Sequence, residues 1–113
     1  MHETALMRTV MDIALDKAQA NQAKRIGAIN LRIGALRGVV PEALDFAFEA
    51  LKEGTIAASA KLNVEYAPLT CYCHGCGNEF QPKDYSSVCP KCLKKDIEIW
   101  NGLEMTVISI EVD

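Results

Sequence analysis

Aromatic side chains are scarce in this chain: three Phe, three Tyr and one Trp make up 6% of 113 residues. Any core must therefore come mainly from Ile, Leu, Val and Ala, and at this length it will be modest. Long apolar runs are missing too. No stretch approaches the ~20 uncharged apolar residues that a membrane-spanning helix needs. The opening residues, MHETALMRTVMD, carry Glu3, Arg8 and Asp12 where a secretory leader needs an unbroken apolar run, so a cytoplasmic protein is expected. Excess charge is slight, 12 basic against 15 acidic residues for a net of −3, and gives no footprint for nucleic acid or an anionic membrane. Cysteine is too sparse for a disulfide scaffold, with five residues where such scaffolds reach about 8–10%. Internal repeats and low-complexity tracts are lacking. What is present is 50% hydrophobic and 24% charged, the balance of a folded domain with room for a small attached module.

The spacing predicts an amphipathic helix over 4–20. Leu6, Val10, Ile13 and Ala14 form one stripe, widened by Met7, Met11, Leu15 and Ala18. Residues 26–33 alternate, with Ile29, Leu31 and Ile33 inward and Asn30 and Arg32 on the other face, as in a half-buried strand. Pro41 suits the first turn of a second helix that places Leu44, Ala47, Phe48 and Leu51 on one face, with Gly54 just past its end. Leu62, Val64 and Tyr66 alternate with Asn63 and Glu65 in a second strand, and LEMTVISIEVD reads as a third. The fold class is α+β: two helices packed on a small three-stranded sheet, with a zinc-ribbon-like module of four cysteines inserted before the last strand. Antiparallel pairing of the last two strands would place that module at the tip of a long hairpin.

All five cysteines lie between Cys71 and Cys92. In a reducing compartment such clustering points to metal before disulfide. Cys73-x2-Cys76 and Cys89-x2-Cys92 are separated by twelve residues, and two such turns bring four thiolates to the corners of a tetrahedron around Zn²⁺. Gly75, Gly77 and Pro90 fit such turns. Two structural disulfides or a rubredoxin-like iron site are the other readings, since the ligand set alone does not distinguish the ions. Four thiolates leave no open position for catalysis. Lys83, Lys91, Lys94 and Lys95 are either counter-charges to the thiolates or a solvated basic surface. Cys71 reads as a small packing residue or a spare ligand. His74, inside the first turn, reads best as a solvent-facing imidazole.

The other histidine is His2. A Met-His-Glu terminus can wrap a metal with the Met1 amine, the His2 amide and imidazole nitrogens, and the Glu3 amide. Four nitrogens in a plane suit Ni(II) or Cu(II) rather than Zn²⁺. The first amides of the following helix have no intrahelical partner and are free to take part. Glu3 sets a carboxylate at that end, either as a favourable charge at the helix dipole or as a support for His2.

Taken together, MHE at the start, LRIGALRGVVPEALDFAFEAL, GTIAASAKL, the paired CxxC module and the terminal IEVD resemble the HypA/HybF family of nickel metallochaperones for [NiFe] hydrogenase maturation. The resemblance covers essentially the full length. It implies a nickel-binding α+β domain over 1–69 and 100–113 and a zinc-binding module over 70–99. It implies nickel held through His2 with Met1 and Glu3, and zinc held by Cys73, Cys76, Cys89 and Cys92. The implied partners are the GTPase HypB and the hydrogenase large subunit and, in some members, the urease maturation proteins, with neither nucleic acid nor membrane. No nucleophile–base pair, phosphate loop or HExxH is present, so a non-enzymatic carrier is expected. The rival class is a zinc-ribbon module for nucleic acid or a transcription partner, which accounts for the cysteines but not for MHE.

Overall fold

The computed structural model describes residues 3–82 and 88–113. In chain order its elements are α1 (Glu3–Ala20), β1 (Ile26–Gly34), a 3-10 turn (Ala35–Arg37), α2 (Pro41–Lys52), β2 (Lys61–Ala67), β3 (Thr70–Cys73), β4 (Glu79–Phe80), β5 (Ile97–Asn101) and β6 (Met105–Val112). The chain divides into two compact units, one of Met1–Arg32, Gly38–Glu65 and Met105–Asp113, the other of Ile33–Arg37 and Tyr66–Glu104.

Both helices belong to the first unit. α1 buries Leu6, Met7, Val10, Met11, Ala14 and Ala18, a stripe that recurs every three to four residues. α2 buries Leu44, Ala47 and Phe48. It starts with Pro41 in its first turn and stops before Gly54, whose φ of +74° closes the helix in a conformation that costs glycine little. The sheet has the order β2-β1-β6, so the expected hairpin between the strands flanking the cysteine segment does not form. The burial patterns give the reason. β1 carries Ile26, Ala28, Ile29, Leu31 and Ile33 buried on both of its faces, which suits the centre of a sheet. β2 buries only Ala67 and β6 buries nothing fully, as edge strands do. Tyr66, Ile108 and Val112, apolar in the alternation, are accordingly exposed.

Asn30 and Arg32, at the far end of the face that carries the buried Ile26 and Ala28, are polar, as expected, and tie the three strands together. Asn63 Nδ2 donates to Asn30 Oδ1 at 2.9 Å, and Asn30 Nδ2 donates to Ser109 Oγ at 3.0 Å. Arg32 stands 4.0 Å from Glu65. The C-terminus is fastened as well: Asp113 N donates to Arg25 O at 2.9 Å, and the Arg25 guanidinium holds the Asp113 carboxylate.

The second unit contains a sheet of its own, ordered β4-β3-β5, with β3 antiparallel to both neighbours. Sequence patterning did not assign it, because β4 has two residues and β3 four, too few for alternation to register. Gly34 lies against the backbone of Gly102 with no space for a Cβ, and Gly102 itself has φ +127°. Glycine is required at both positions.

Candidate metal centre

Among the described residues, one group of side chains can enclose a metal ion. The sulfurs of Cys73, Cys76, Cys89 and Cys92 all lie within 4.8 Å of one another. Cys73 Sγ is 3.5 Å from Cys92 Sγ, and Cys76 Sγ is 3.7 Å from Cys89 Sγ. A tetrahedron with Zn–S bonds of about 2.3 Å has edges of about 3.8 Å, so the four sulfurs stand near the corners that Zn²⁺ requires. Cys73 and Cys89 are fully buried, Cys92 is half-buried and Cys76 is exposed. All five cysteines are free thiols, so the disulfide reading does not hold.

Two backbone turns of the same construction carry the sulfurs. In the first, Gly77 N donates to Cys73 O at 2.7 Å and Cys73 N donates to Asn78 O at 2.8 Å. In the second, Leu93 N donates to Cys89 O at 2.9 Å and Cys89 N donates to Lys94 O at 2.9 Å. The residue just after the second cysteine of each pair takes a left-handed conformation: Gly77 at φ +75° and Leu93 at φ +63°. Glycine meets that demand freely, whereas leucine bears a cost of about 1–2 kcal/mol. Tight turns at x2 spacing thus position the two sulfurs of each pair, and the fold brings the two pairs together.

The thiols differ electrostatically. Burial raises Cys89, but the backbone N–H groups of Cys92 and Lys91, with the Cys76 thiol and Asn78, outweigh it and bring the group down to about 6. Cys76 goes the other way. The Asn78 backbone favours its thiolate, yet desolvation and the neighbouring Cys89, Cys73 and Cys92 thiols push it up to about 11. Asn78, whose Nδ2 lies 3.8 Å from Cys89 Sγ, is a supporting residue that sequence reasoning did not identify. Nothing in an isolated Asn signals such a role.

The remaining residues of this segment fall outside the cluster. Cys71 is buried, burial pushes its thiol up, and it packs on the strand rather than joining the four sulfurs. His74 is half-exposed, with Nε2 3.8 Å from Glu98 Oε2, and is not among the grouped ligands. Lys94 lays its stem beside Gly75, where an added Cβ would lie 3.2 Å from Lys94 Cδ. Lys83 lies outside the described residues.

At the N-terminus, Met1 and His2 lie outside the described residues. Glu3 opens α1, and its Oε2 accepts a hydrogen bond from Val40 N at 3.0 Å. Val40 is the N-cap of α2 and offers no side-chain cap of its own. The Glu3 carboxylate therefore serves the start of the second helix as well as the dipole of the first. Sequence reasoning placed Glu3 beside His2 but missed this link, because it joins residues 37 apart.

Comparison with known proteins agrees with this arrangement. The model of one family, described as hydrogenase/urease nickel incorporation, metallochaperone, hypA, matches residues 1–112. A hydrogenase maturation factor HypA from Picosynechococcus sp. is 45% identical over 112 residues, covering 99% of each chain. The HypA factor of Aquifex aeolicus is 34% identical, covering 100% of this chain and 98% of its own. The solution structure of the Ni metallochaperone HypA from Helicobacter pylori is similar with a TM-score of 0.70 at 27% identity, over 99% of this chain and 97% of that one. With two helices, small sheets and a four-cysteine cluster in an α+β frame, and with this match along its whole length, the chain belongs to the HypA family of hydrogenase/urease nickel-incorporation metallochaperones.

Proposed function

We propose that the protein is a non-enzymatic carrier that takes Ni(II) at its N-terminus and delivers it to the [NiFe] hydrogenase large subunit, acting with the GTPase HypB in the cytoplasm. The observation that carries this reading is the family match over residues 1–112, which takes in both the MHE terminus and the four cysteines. The Met1 amine, the His2 amide and imidazole, and the Glu3 amide form the nickel site. Their planar nitrogen set suits Ni(II). A terminal chelate also suits a carrier, because a recipient can displace its donors one at a time. The Glu3–Val40 bond supports the reading by fastening the helix that follows the chelating residues.

Cys73, Cys76, Cys89 and Cys92 would hold Zn²⁺, which supplies a structural cross-link and offers no open coordination position. In this reading residues 1–69 and 100–113 form the nickel domain and 70–99 the zinc module. Urease maturation proteins are further candidate recipients, since the family description couples hydrogenase with urease.

The test is calorimetric titration of Ni(II) into three zinc-loaded proteins: native, extended by an N-terminal Gly-Ser, and His2→Ala. The extension converts the Met1 amine into an amide, and the substitution removes the imidazole. Both should weaken nickel binding while zinc and fold stay intact. Equal affinity in all three would reject the terminal chelate.

A further inference from the structure

The outer face of the β4-β3-β5 sheet bears an exposed aromatic stack outside the four-cysteine cluster. The register places Glu79 and Glu98 directly opposite Tyr72, one on each neighbouring strand. Directly paired residues share a face, so Glu79, Tyr72 and Glu98 form one row. Cys71 and Cys73 alternate to the other, buried face. Trp100, two residues beyond Glu98, stacks flat on Tyr72 with ring centroids 4.5 Å apart and planes 3° off parallel. His74 meets Tyr72 edge-on at 5.0 Å.

The stack is held before any ligand arrives. Trp100 Nε1 donates to Glu98 Oε2 at 2.6 Å, so the indole N–H is already satisfied. Trp100 is nonetheless 46% exposed, although the chain has one Trp and only seven aromatic residues in all. Fixed rings lose little rotamer freedom on binding. Trp, Tyr and Arg are the side chains that dominate protein interfaces.

We infer that this face is a docking site for an arginine side chain of a partner protein, with the guanidinium lying on the Tyr72–Trp100 stack and pairing with Glu98. A planar cation fits both features: it stacks on an aromatic face and offers a carboxylate two parallel donors. Lysine supplies the charge without the plane. An uncharged apolar group would take both carboxylates out of water without bringing a charge to pair with them. Single-stranded nucleic acid also stacks on aromatic shelves, but here its phosphates would meet the two carboxylates.

Because Trp100 is the only tryptophan, its indole N–H gives a single NMR signal that reports this site and no other. The zinc-loaded full chain is titrated with four probes: acetyl-Gly-Arg-Gly-amide, its lysine and citrulline counterparts, and oligouridylate. The arginine probe should shift the indole signal saturably, the lysine probe should bind more weakly, and the citrulline probe and the RNA should leave the signal in place. Glu98→Gln keeps an acceptor for the indole but removes the charge. It should weaken arginine binding about tenfold or more, the cost of a lost charge-assisted hydrogen bond. Glu79→Gln, outside the stack's hydrogen bonds, should weaken it less and serves as the second variant if Glu98→Gln perturbs the ring geometry. Equal shifts from arginine and citrulline, a shift from oligouridylate alone, or indifference to both Gln variants would overturn the assignment. Nickel affinity in these variants should match the native protein, so failure here is distinct from failure of the nickel chelate.

Discussion

Replacing Glu3 with Ala removes the carboxylate that accepts from Val40 N at 3.0 Å. In a capping box an acid at the third helical position of the same helix bonds back to the N-cap amide. In α2 that third position is Ala43, and Val40 contributes no side-chain cap. Glu3 supplies from α1 what α2 lacks. Loss of a helix cap costs about 1 kcal/mol, and in a domain of this size each such unit lowers the melting temperature by roughly 4–8 °C. Thermal melts followed by far-UV circular dichroism measure the shift. The rescue follows from the same geometry: Ala43→Glu gives α2 its own capping acid, so it should restore stability to Glu3→Ala while adding little to the native protein. Such unequal effects are the mark of coupling in a double-mutant cycle. Unchanged melting of Glu3→Ala, or equal stabilisation by Ala43→Glu in both backgrounds, would refute the capping role. Nickel affinity adds a second readout, because a purely structural Glu3 predicts that Ala43→Glu restores it along with the fold.

Cys89→Ser should abolish zinc retention, measured by metal analysis, while the helices and β1 stay folded; Cys71→Ser should keep its zinc, since Cys71 stands outside the cluster. Gly77→Ala forces a side chain into φ +75° and should lower zinc-module stability by about 1 kcal/mol, whereas Leu93→Gly relieves the matching position in the second turn and should not lower it, both read by competition with a chelator. Zinc uptake at neutral pH should release fewer than four protons, counted by calorimetry in buffers of different ionisation enthalpy, because the folded Cys89 thiol lies at about 6 and is already ionised. The linkage has a definite sign: with folded Cys89 held below the ordinary thiol value of 9.0, its contribution to the metal-free fold is full above about 9, declines as pH falls and is gone once pH passes below about 6. Release of four protons would mean that the metal-free chain does not keep the second turn.

Features written in short stretches of sequence were legible without coordinates. The three-to-four-residue spacing of Leu6, Val10 and Ala14 specifies a helix, and Pro41 and Gly54 bracket the second, because helix geometry depends on neighbours within a turn. The four-cysteine cluster was legible for the same reason: x2 spacing and a left-handed residue build each turn from adjacent residues, and the structure brings the two pairs together with Cys71 left out. Strand order was not legible. Alternation shows that a segment is a strand but not which strand lies beside it, and β1 took the centre because burial on both of its faces could be satisfied nowhere else. Contacts across long sequence separations were equally hidden: Glu3 with Val40, Asn30 with Ser109, and the Tyr72–Trp100 stack with Glu98 beneath it. Each pairs residues that carry no mutual signal in the chain. Sequence therefore determined the two helices, the longer strands and the paired cysteine turns, while tertiary packing alone decided which carboxylate caps which helix and which aromatic rings face the solvent.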